Sequence, residues 1–520
     1  MSTVISRLYH SVELVKLWGQ TPLPNGQTLS EVFTLNGLPL WDALVVDLAR
    51  IHIPRALTTD IRPSWLSRLK PRGSYLKHRM IDCFLTKRDT QGCLDWSNGQ
   101  VFLFLGFGNY LYRDVLHPVV NHLDNLTDIS VVTLHDQNQQ KINKAILNSH
   151  QAIWQHWSKD VADEITAVRK SLALVLRELH KPQVLPDVIR DQGKSIWPQV
   201  KDTFTWFFRV YLPLFLPQAV LAQHILTYHR PALVVSPDVA DPRTRIYCLC
   251  AKQLGIPSLQ IQMGAYGVDS IEWRFFVADR LATWGDHSAT VMRDHGVSPE
   301  AIVNTGSPRF DSLIPMSETE KNKMRTQLGI PHGKPMVLFA SVYALKDQAT
   351  SADIRMLETV KKAIFQAAAK VSGIHMVVKP HPRENVDETK GLAGSQANIS
   401  FVDPQGDIRE LTQVCDAFMA LGSTTTLDAL ILGKLTICPS FPGWNLNDLL
   451  FTKSGATLVP HSEDDLIQIF REIAGGNIPS KLEHLASARE RFLNQWVFKT
   501  DGKASERIAE LSKQMALNKS

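Results

Sequence analysis

Long apolar runs are missing from this chain: no window reaches the roughly 18 apolar residues that a membrane-spanning helix needs. The opening segment, MSTVISRLYHSVELVKLWGQ, has no uninterrupted apolar stretch of the kind a secretory signal carries. Cysteine is scarce and unpaired in sequence: Cys83, Cys93, Cys248, Cys250, Cys415 and Cys438 include no Cys-x-x-Cys, which argues against a zinc ribbon and against a disulfide framework. Cys248 and Cys250 fall in a helical pattern with Ile246 and Leu249, so buried free thiols in a reducing compartment are expected. Internal repeats and low-complexity tracts do not stand out. An excess of one charge is absent as well, with 56 Lys and Arg against 51 Asp and Glu. Together these absences lead us to expect a cytoplasmic protein. What is present is ordinary globular composition, 44% hydrophobic and 21% charged, in 520 residues, more than one core supports. The longest apolar stretch, Phe204–Leu221, is interrupted by Arg209, Pro213 and Pro217 and has no clear polar face, so a kinked core helix is expected ahead of a membrane-contacting one.

Charge is balanced overall but not locally. Ten Lys and Arg (Arg50, Arg55, Arg62, Arg68, Lys70, Arg72, Lys77, Arg79, Lys87, Arg88) stand against Asp60 and Asp82, with Trp65, Tyr75 and Phe84 among them. Such a stripe suits an anionic glycan or an anionic membrane surface, or is a plain solvated face; no nucleic-acid motif accompanies it, and no nucleic acid is expected as a partner.

Apolar runs of strand length recur at Val101–Phe107, Ile129–Leu134, Leu233–Val235, Ser258–Gln262, Leu281–Trp284 and Ala301–Thr305, then at Met336–Ser341, His375–Lys379, Ile399–Val402, Ala417–Leu421 and Leu435–Pro439. Helical patterns lie between several of them; Ile354, Leu357, Val360 and Ile364 mark the apolar side of one. The alternation predicts an α/β protein with two parallel, Rossmann-like sheets. The expected organisation is a basic N-terminal extension over 1–95, a first domain over 96–315 with a helical insertion at about 137–230, a second domain over 316–490 and a helical tail over 491–520. Phe310–Leu313 and the polar Ser317–Lys323 read as the connection between the domains.

Two motifs carry the chemistry. Lys379-Pro380-His381-Pro382 closes an apolar run with a rigid cationic turn, and Gly422-Ser423-Thr424-Thr425-Thr426-Leu427-Asp428 passes from another apolar run into a helical pattern. In open parallel sheets, ligands sit at the carboxyl ends of strands, and a helix start offers unpaired N–H groups and the positive end of its dipole to phosphate. Serine and threonine hydroxyls add donors, and His381 adds another from the opposite side. Taken singly, a Ser/Thr run before a helix is an ordinary N-cap; the pairing at two strand ends is what suggests a nucleotide-sugar site.

From Pro231 to Arg489, through PALVVSPD, GIPSLQIQMG, LATWGD, VNTGSPRFD, VVKPHP and DIRELTQVCDAFMALGSTTTLDALILGKLTI, the chain resembles the GT-B surface-polysaccharide glycosyltransferases with HP and S/T motifs. This group includes capsular sialyl- and Kdo-transferases and the CDP-glycerol glycerophosphotransferases. The resemblance implies two Rossmann-like domains facing a central cleft, with donor phosphates held by His381 and by Ser423, Thr424 and Thr425, and ribose bound by Asp428. It also places Arg309, in Thr305-Gly306-Ser307-Pro308-Arg309, where a guanidinium meets donor phosphate or a sugar carboxylate, the alternative being a structural salt bridge. Lys379 is counted with the donor site. Inverting transfer from a CMP-, CDP- or UDP-linked sugar to a surface-glycan or lipid-linked acceptor at the inner membrane face is the implied activity.

The catalytic base does not carry over. Where the glycerophosphotransferases have Gln-x-x-His-Gly or Gln-His-Gly, this chain has Gln262-Met263-Gly264, and a methionine cannot take a proton. Asp238, after the strand PALVVSP, is the leading base candidate; Asp241, three residues on, reads more simply as a helix cap, and Asp114 and His117 as a surface pair. Gly106 and Gly108 form a glycine loop that would let a ligand approach, or a tight turn with no ligand. No Asp-x-Asp in a strand context and no metal-ligand cluster is seen in the sequence, so a reaction without metal or other cofactor is expected, with His381 as a catalytic residue that takes the leaving group's charge together with helix dipoles. Two rival readings stand: a UDP-sugar 2-epimerase of the same fold, whose usual Ser-Gly-Gly is replaced here by Ser-Thr-Thr-Thr, and a non-catalytic glycan- or nucleotide-binding scaffold.

Overall fold

The computed structural model describes residues 3–57, 96, 100–107, 112–124, 128–135, 150–267, 269–313, 315–343, 351–442 and 451–517. The chain divides into two compact units, one formed by 1–284, 288–308 and 503–520, the other by 285–287 and 309–502.

The first unit is built on seven parallel strands: β1 (Gln100–Leu105), β2 (Ile129–His135), β3 (His150–Ala152), β4 (Leu233–Ser236), β5 (Ser258–Ile261), β6 (Arg280–Thr283) and β7 (Ile302–Asn304). Their spatial order is β7-β6-β5-β4-β1-β2-β3. The strand order reverses between β1 and β4, so their carboxyl ends, at Gly106 and Pro237, flank the crevice where open α/β sheets bind ligands. Both faces are covered. Val101, Leu103 and Leu105 pack with helices α1 (Thr3–Gln20), α2 (Lys159–Leu179) and α3 (Leu212–His229), while Phe102 and Phe104 pack with 117–123 and with the carboxyl-terminal helix of the chain, Ala504–Leu517.

Two features of this unit go beyond the sequence reading. The described part of the expected N-terminal extension is core: Val12, Val15, Trp18, Phe33 and Leu44 are 0–1% exposed within the first apolar cluster. The expected helical insertion includes β3, an edge strand paired to β2 through His150, Gln151 and Ala152. The apolar stretch at 204–221 is interior: Phe204, Phe207, Phe208, Leu212 and Leu216 are at most 1% exposed. Among the described residues, the helix running from Trp197 to His229 is the one candidate for a membrane span by length and composition.

The second unit has five parallel strands: β8 (Met336–Ala340), β9 (His375–Lys379), β10 (Ile399–Phe401), β11 (Ala417–Ala420) and β12 (Leu435–Ile437), in the order β10-β9-β8-β11-β12. Every residue of β8, β9 and β11 is buried, as expected for strands covered on both faces. One face receives Leu357, Val360 and Ile364 of α5 (Ser351–Ala369), in the predicted helical spacing, and Leu466 and Phe470; the other receives Leu411, Val414 and Ala429. Here the order reverses between β8 and β11. The segment read as a polar connection, Ser317–Lys323, instead begins the helix Glu318–Gln327; Ser317 and Glu320 form a capping box. Its polarity has another cause, since no residue of that helix is buried.

Candidate functional site

In the second unit the two motifs emerge at the carboxyl ends of two strands that flank a third. β9 ends at Lys379 and β11 at Ala420, on either side of β8. Gly422, with φ of 82°, turns the chain in the left-handed region, where a glycine is favoured, and leads into α7 (Thr425–Ile431) after the short α6 (Val386–Ala393) earlier in the chain. Ser423, Thr424 and Thr425 are half-buried there, with the Ser423 Oγ and Thr425 Oγ1 hydroxyls 2.8 Å apart. The side chain of Thr424, the residue before α7, makes no capping bond, while Ser423 Oγ accepts the Thr425 N–H at 3.4 Å.

His381 is half-buried and its ring lies 4.5 Å from that of Tyr343, centre to centre. The Arg383 N–H donates to His381 Nδ1 at 3.1 Å, which requires an unprotonated Nδ1 and leaves the proton of the neutral ring on Nε2. Burial, followed by the charges of Lys379, Arg383 and Lys361, holds the imidazole below its ordinary pKa despite the opposing charge of Glu384. The ring is therefore a neutral Nε2–H donor in a locally cationic setting, suited to an anion.

Three expected donor residues are engaged within the protein. Lys379 is 7% exposed, and its ammonium donates to the carbonyls of Pro380, at 3.2 Å, and Pro404, at 2.6 Å. Arg309 and Asp428, assigned separately to phosphate and ribose, are each other's partners: Arg309 Nε donates to Asp428 Oδ1 at 3.0 Å and Nη2 to Oδ2. Asp428 is 0% exposed. A ligand would meet the guanidinium before the carboxylate, because the Arg309 side chain keeps 14% of its surface.

In the first unit, Asp238 lies just past β4 at the point of strand-order reversal. Its Oδ1 accepts the N–H groups of Ala240 at 2.7 Å and Asp241 at 3.4 Å, fixing the turn and leaving Oδ2 with no partner among the described residues. Burial, then the neighbouring Asp241, pushes its carboxyl up to about 6. Asp241 is the N-cap of α4 (Pro242–Gln253) and also binds the Arg243 guanidinium through both oxygens. That guanidinium sits 5.0 Å above the Phe107 ring in the loop after β1. Gly106 donates its N–H to Leu134 at 2.8 Å; Gly108 lies outside the described residues. Asp114 is buried rather than on the surface, and burial lowers the pKa of His117.

Sequence reasoning missed several groups around Asp238, because they come from distant segments. Asp47 accepts the Tyr211 hydroxyl and is pushed up to about 6, chiefly by burial. Glu272, 4% exposed, lies 3.7 Å from Arg50. Arg245 is buried and spends its guanidinium on the carbonyls of Asp42, Val239 and Phe275, tying the Asp238 turn to two other segments. Gln262 has a structural part: it accepts from the Trp284 N–H at 2.8 Å and donates to Gly264 O and Ser288 Oγ, while Met263 packs on two apolar clusters. The basic stripe beyond Leu57 lies outside the described residues.

Comparison with known proteins bears on the fold and on the family resemblance. Residues 279–421 match the family model described as CDP-Glycerol:Poly(glycerophosphate) glycerophosphotransferase. No curated protein sequence matches the chain. Among solved structures, MnaA of S. aureus with UDP superposes with a TM-score of 0.51 at 14% identity, covering 81% of this chain and 98% of that one. The UDP-GlcNAc 2-epimerase of Neisseria meningitidis, bound to UDP-GlcNAc, gives 0.51 at 16% identity over 80% of this chain and 100% of its own. A variant of the wall teichoic acid polymerase TagF gives 0.50 at 12% identity, covering 87% and 96%. At these identities the solved structures show the shared α/β fold alone; with the segment matched at 279–421 they bear out the resemblance to GT-B surface-polysaccharide enzymes, and it is the matched segment that supports an enzyme of the glycosyltransferase class.

Proposed function

We propose that the chain moves a sugar from a CMP-, CDP- or UDP-linked donor to a surface-glycan or lipid-linked acceptor, with inversion and without a metal, in the cytoplasm at the inner face of the membrane. The observation that carries the donor half is the placement of His381, with its Nε2–H, and of the hydroxyls of Ser423, Thr424 and Thr425 just past the carboxyl ends of β9 and β11, the two strands that flank β8 at the strand-order reversal. These groups, with the N-terminal N–H groups of α7, donate to the leaving phosphate as its charge develops. Asp428 anchors Arg309 in this reading, and Arg309 faces donor phosphate or a sugar carboxylate. In the first unit, Asp238 accepts the acceptor hydroxyl's proton on Oδ2, the atom that the turn leaves open; a carboxylate titrating near 6 is a better base at neutral pH than an ordinary one. The described residues offer no group of three or more His, Cys, Asp or Glu arranged to hold a metal.

The test is a thermal-shift screen of CMP-, CDP- and UDP-sugars, followed by product analysis with and without EDTA. Stabilisation by one nucleotide class and EDTA-resistant transfer are expected. Conversion of a UDP-sugar to its 2-epimer would give the epimerase reading instead, and binding without turnover on any tested donor and acceptor would favour the scaffold.

A further inference from the structure

Glu384 was not among the residues singled out in the sequence, yet four groups converge on its carboxylate. Oε2 accepts the His381 main-chain N–H at 2.9 Å, and Oε1 accepts Ser341 Oγ at 2.9 Å, Thr389 Oγ1 at 2.6 Å and the Lys361 ammonium. Ser341 follows β8, Lys361 is on α5, Thr389 is on α6, and His381 is in the turn after β9, so one side chain joins four segments of the second unit. The Glu384 side chain is 4% exposed and that of Lys361 6%. Burial opposes its charge, but Lys361 and these hydrogen bonds hold the carboxyl below its ordinary pKa. A turn alone does not need a buried ion pair, which is expensive to desolvate and does not by itself make a protein more stable than an apolar substitute.

What the pair does hold is the geometry of His381. With the His381 N–H fixed on Glu384, the chain folds back so that the Arg383 N–H meets Nδ1, and the Glu384 N–H also returns to the His381 carbonyl at 2.8 Å. We propose that Glu384 is a positioning residue of the donor site, fixing the turn that keeps His381 as the neutral Nε2–H tautomer, the form that donates to a nucleotide phosphate. This rests on the donor-site reading of His381. The charged groups facing the imidazole are Lys379, Arg383 and Lys361 on one side of the balance and Glu384 on the other, with the Tyr343 ring packed against it. Removing the Glu384 charge therefore moves His381 further below its ordinary pKa as well as loosening its turn.

The experiment compares full-length wild type and Glu384→Gln by NMR of 15N-labelled histidine, with His381→Ala identifying the signal, and by calorimetry with CMP, CDP and UDP as probes. In wild type, His381 should be the Nε2–H tautomer. In Glu384→Gln an Nδ1–H population should appear, its apparent pKa should fall, and affinity for the nucleotide that binds wild type should weaken about tenfold. If Glu384→Gln does not fold, Glu384→Gln with Lys361→Met removes the orphaned ammonium, and Thr389→Val removes one donor, with a smaller change in the same direction. A fully Nε2–H His381 and unchanged nucleotide affinity in the folded variants would overturn the proposal. Should wild type bind none of the three nucleotides, the donor-site reading fails, while the tautomer comparison in nucleotide-free protein still decides whether Glu384 sets His381.

Discussion

Replacing Asp238 with asparagine should separate chemistry from stability. The amide oxygen still accepts from Ala240 and Asp241, so the turn after β4 keeps its shape, while the atom that replaces Oδ2 can no longer take a proton. Loss of general-base assistance removes roughly two to four orders of magnitude in transfer rate with donor binding intact. The pH dependence follows from the raised carboxyl: at about 6, wild type is mostly ionised at pH 7 and mostly protonated at pH 5, so its transfer rate should rise through pH 6. Stability runs the other way. A carboxyl raised from 3.8 to about 6 on folding contributes stability that is full below its unfolded value and is lost as pH rises through about 6. That shift corresponds to about 3 kcal/mol lost at pH 8. Asp238→Asn escapes this loss, so relative to wild type it should unfold at higher urea at pH 8, the difference vanishing toward pH 4. Transfer rates across pH, donor calorimetry and urea titrations at both pH values are the assays. A variant that transfers near the wild-type rate would place the base elsewhere and make Asp241, Asp114 and His117 the next positions to test. Equal urea midpoints at pH 8 would refute the burial argument.

His381→Ala, and Ser423→Ala with Thr424→Ala, should each weaken nucleotide binding about ten- to hundredfold by calorimetry without unfolding the protein, since each removes a donor to a charged group. Asp428→Asn should cost roughly 3–5 kcal/mol in urea unfolding by leaving the Arg309 guanidinium without its carboxylate, and joint replacement with Arg309→Met should recover most of that loss. Transfer by the purified enzyme should survive EDTA; a requirement restored only by Mg²⁺ or Mn²⁺ would reopen the carboxylates as ligands. Reversing charge at Arg68, Lys70 and Arg72 should weaken association with anionic vesicles or an acidic acceptor at low salt, and unaltered binding to both would reduce the stripe to a solvated face.

The sequence by itself determined the strands of the two sheets, β3 excepted, and through them the fold class. Runs such as Met336–Ala340 and Leu233–Ser236 are apolar at every or nearly every position because both faces of a parallel sheet are covered, and that signal is local. It also marked where the motifs fall, since Pro380 and Gly422 punctuate strand ends, the place where open parallel sheets take their ligands. The helix Glu318–Gln327 was missed as a polar connection, because none of its residues is buried and it carries no apolar stripe, although Ser317 and Glu320 form a local capping box. Partnership was decided only by the tertiary structure. Arg309 meets Asp428, Asp47 meets Tyr211, and Arg50 approaches Glu272 across long separations in the chain. A charged side chain reads the same in sequence whether it is exposed to water or committed to a buried partner. The positions of Lys379 and Glu384 show the difference: the conspicuous cation of the motif is spent on two carbonyls, and the unremarked glutamate joins four segments, because desolvation obliges each buried charge to find partners wherever the fold supplies them.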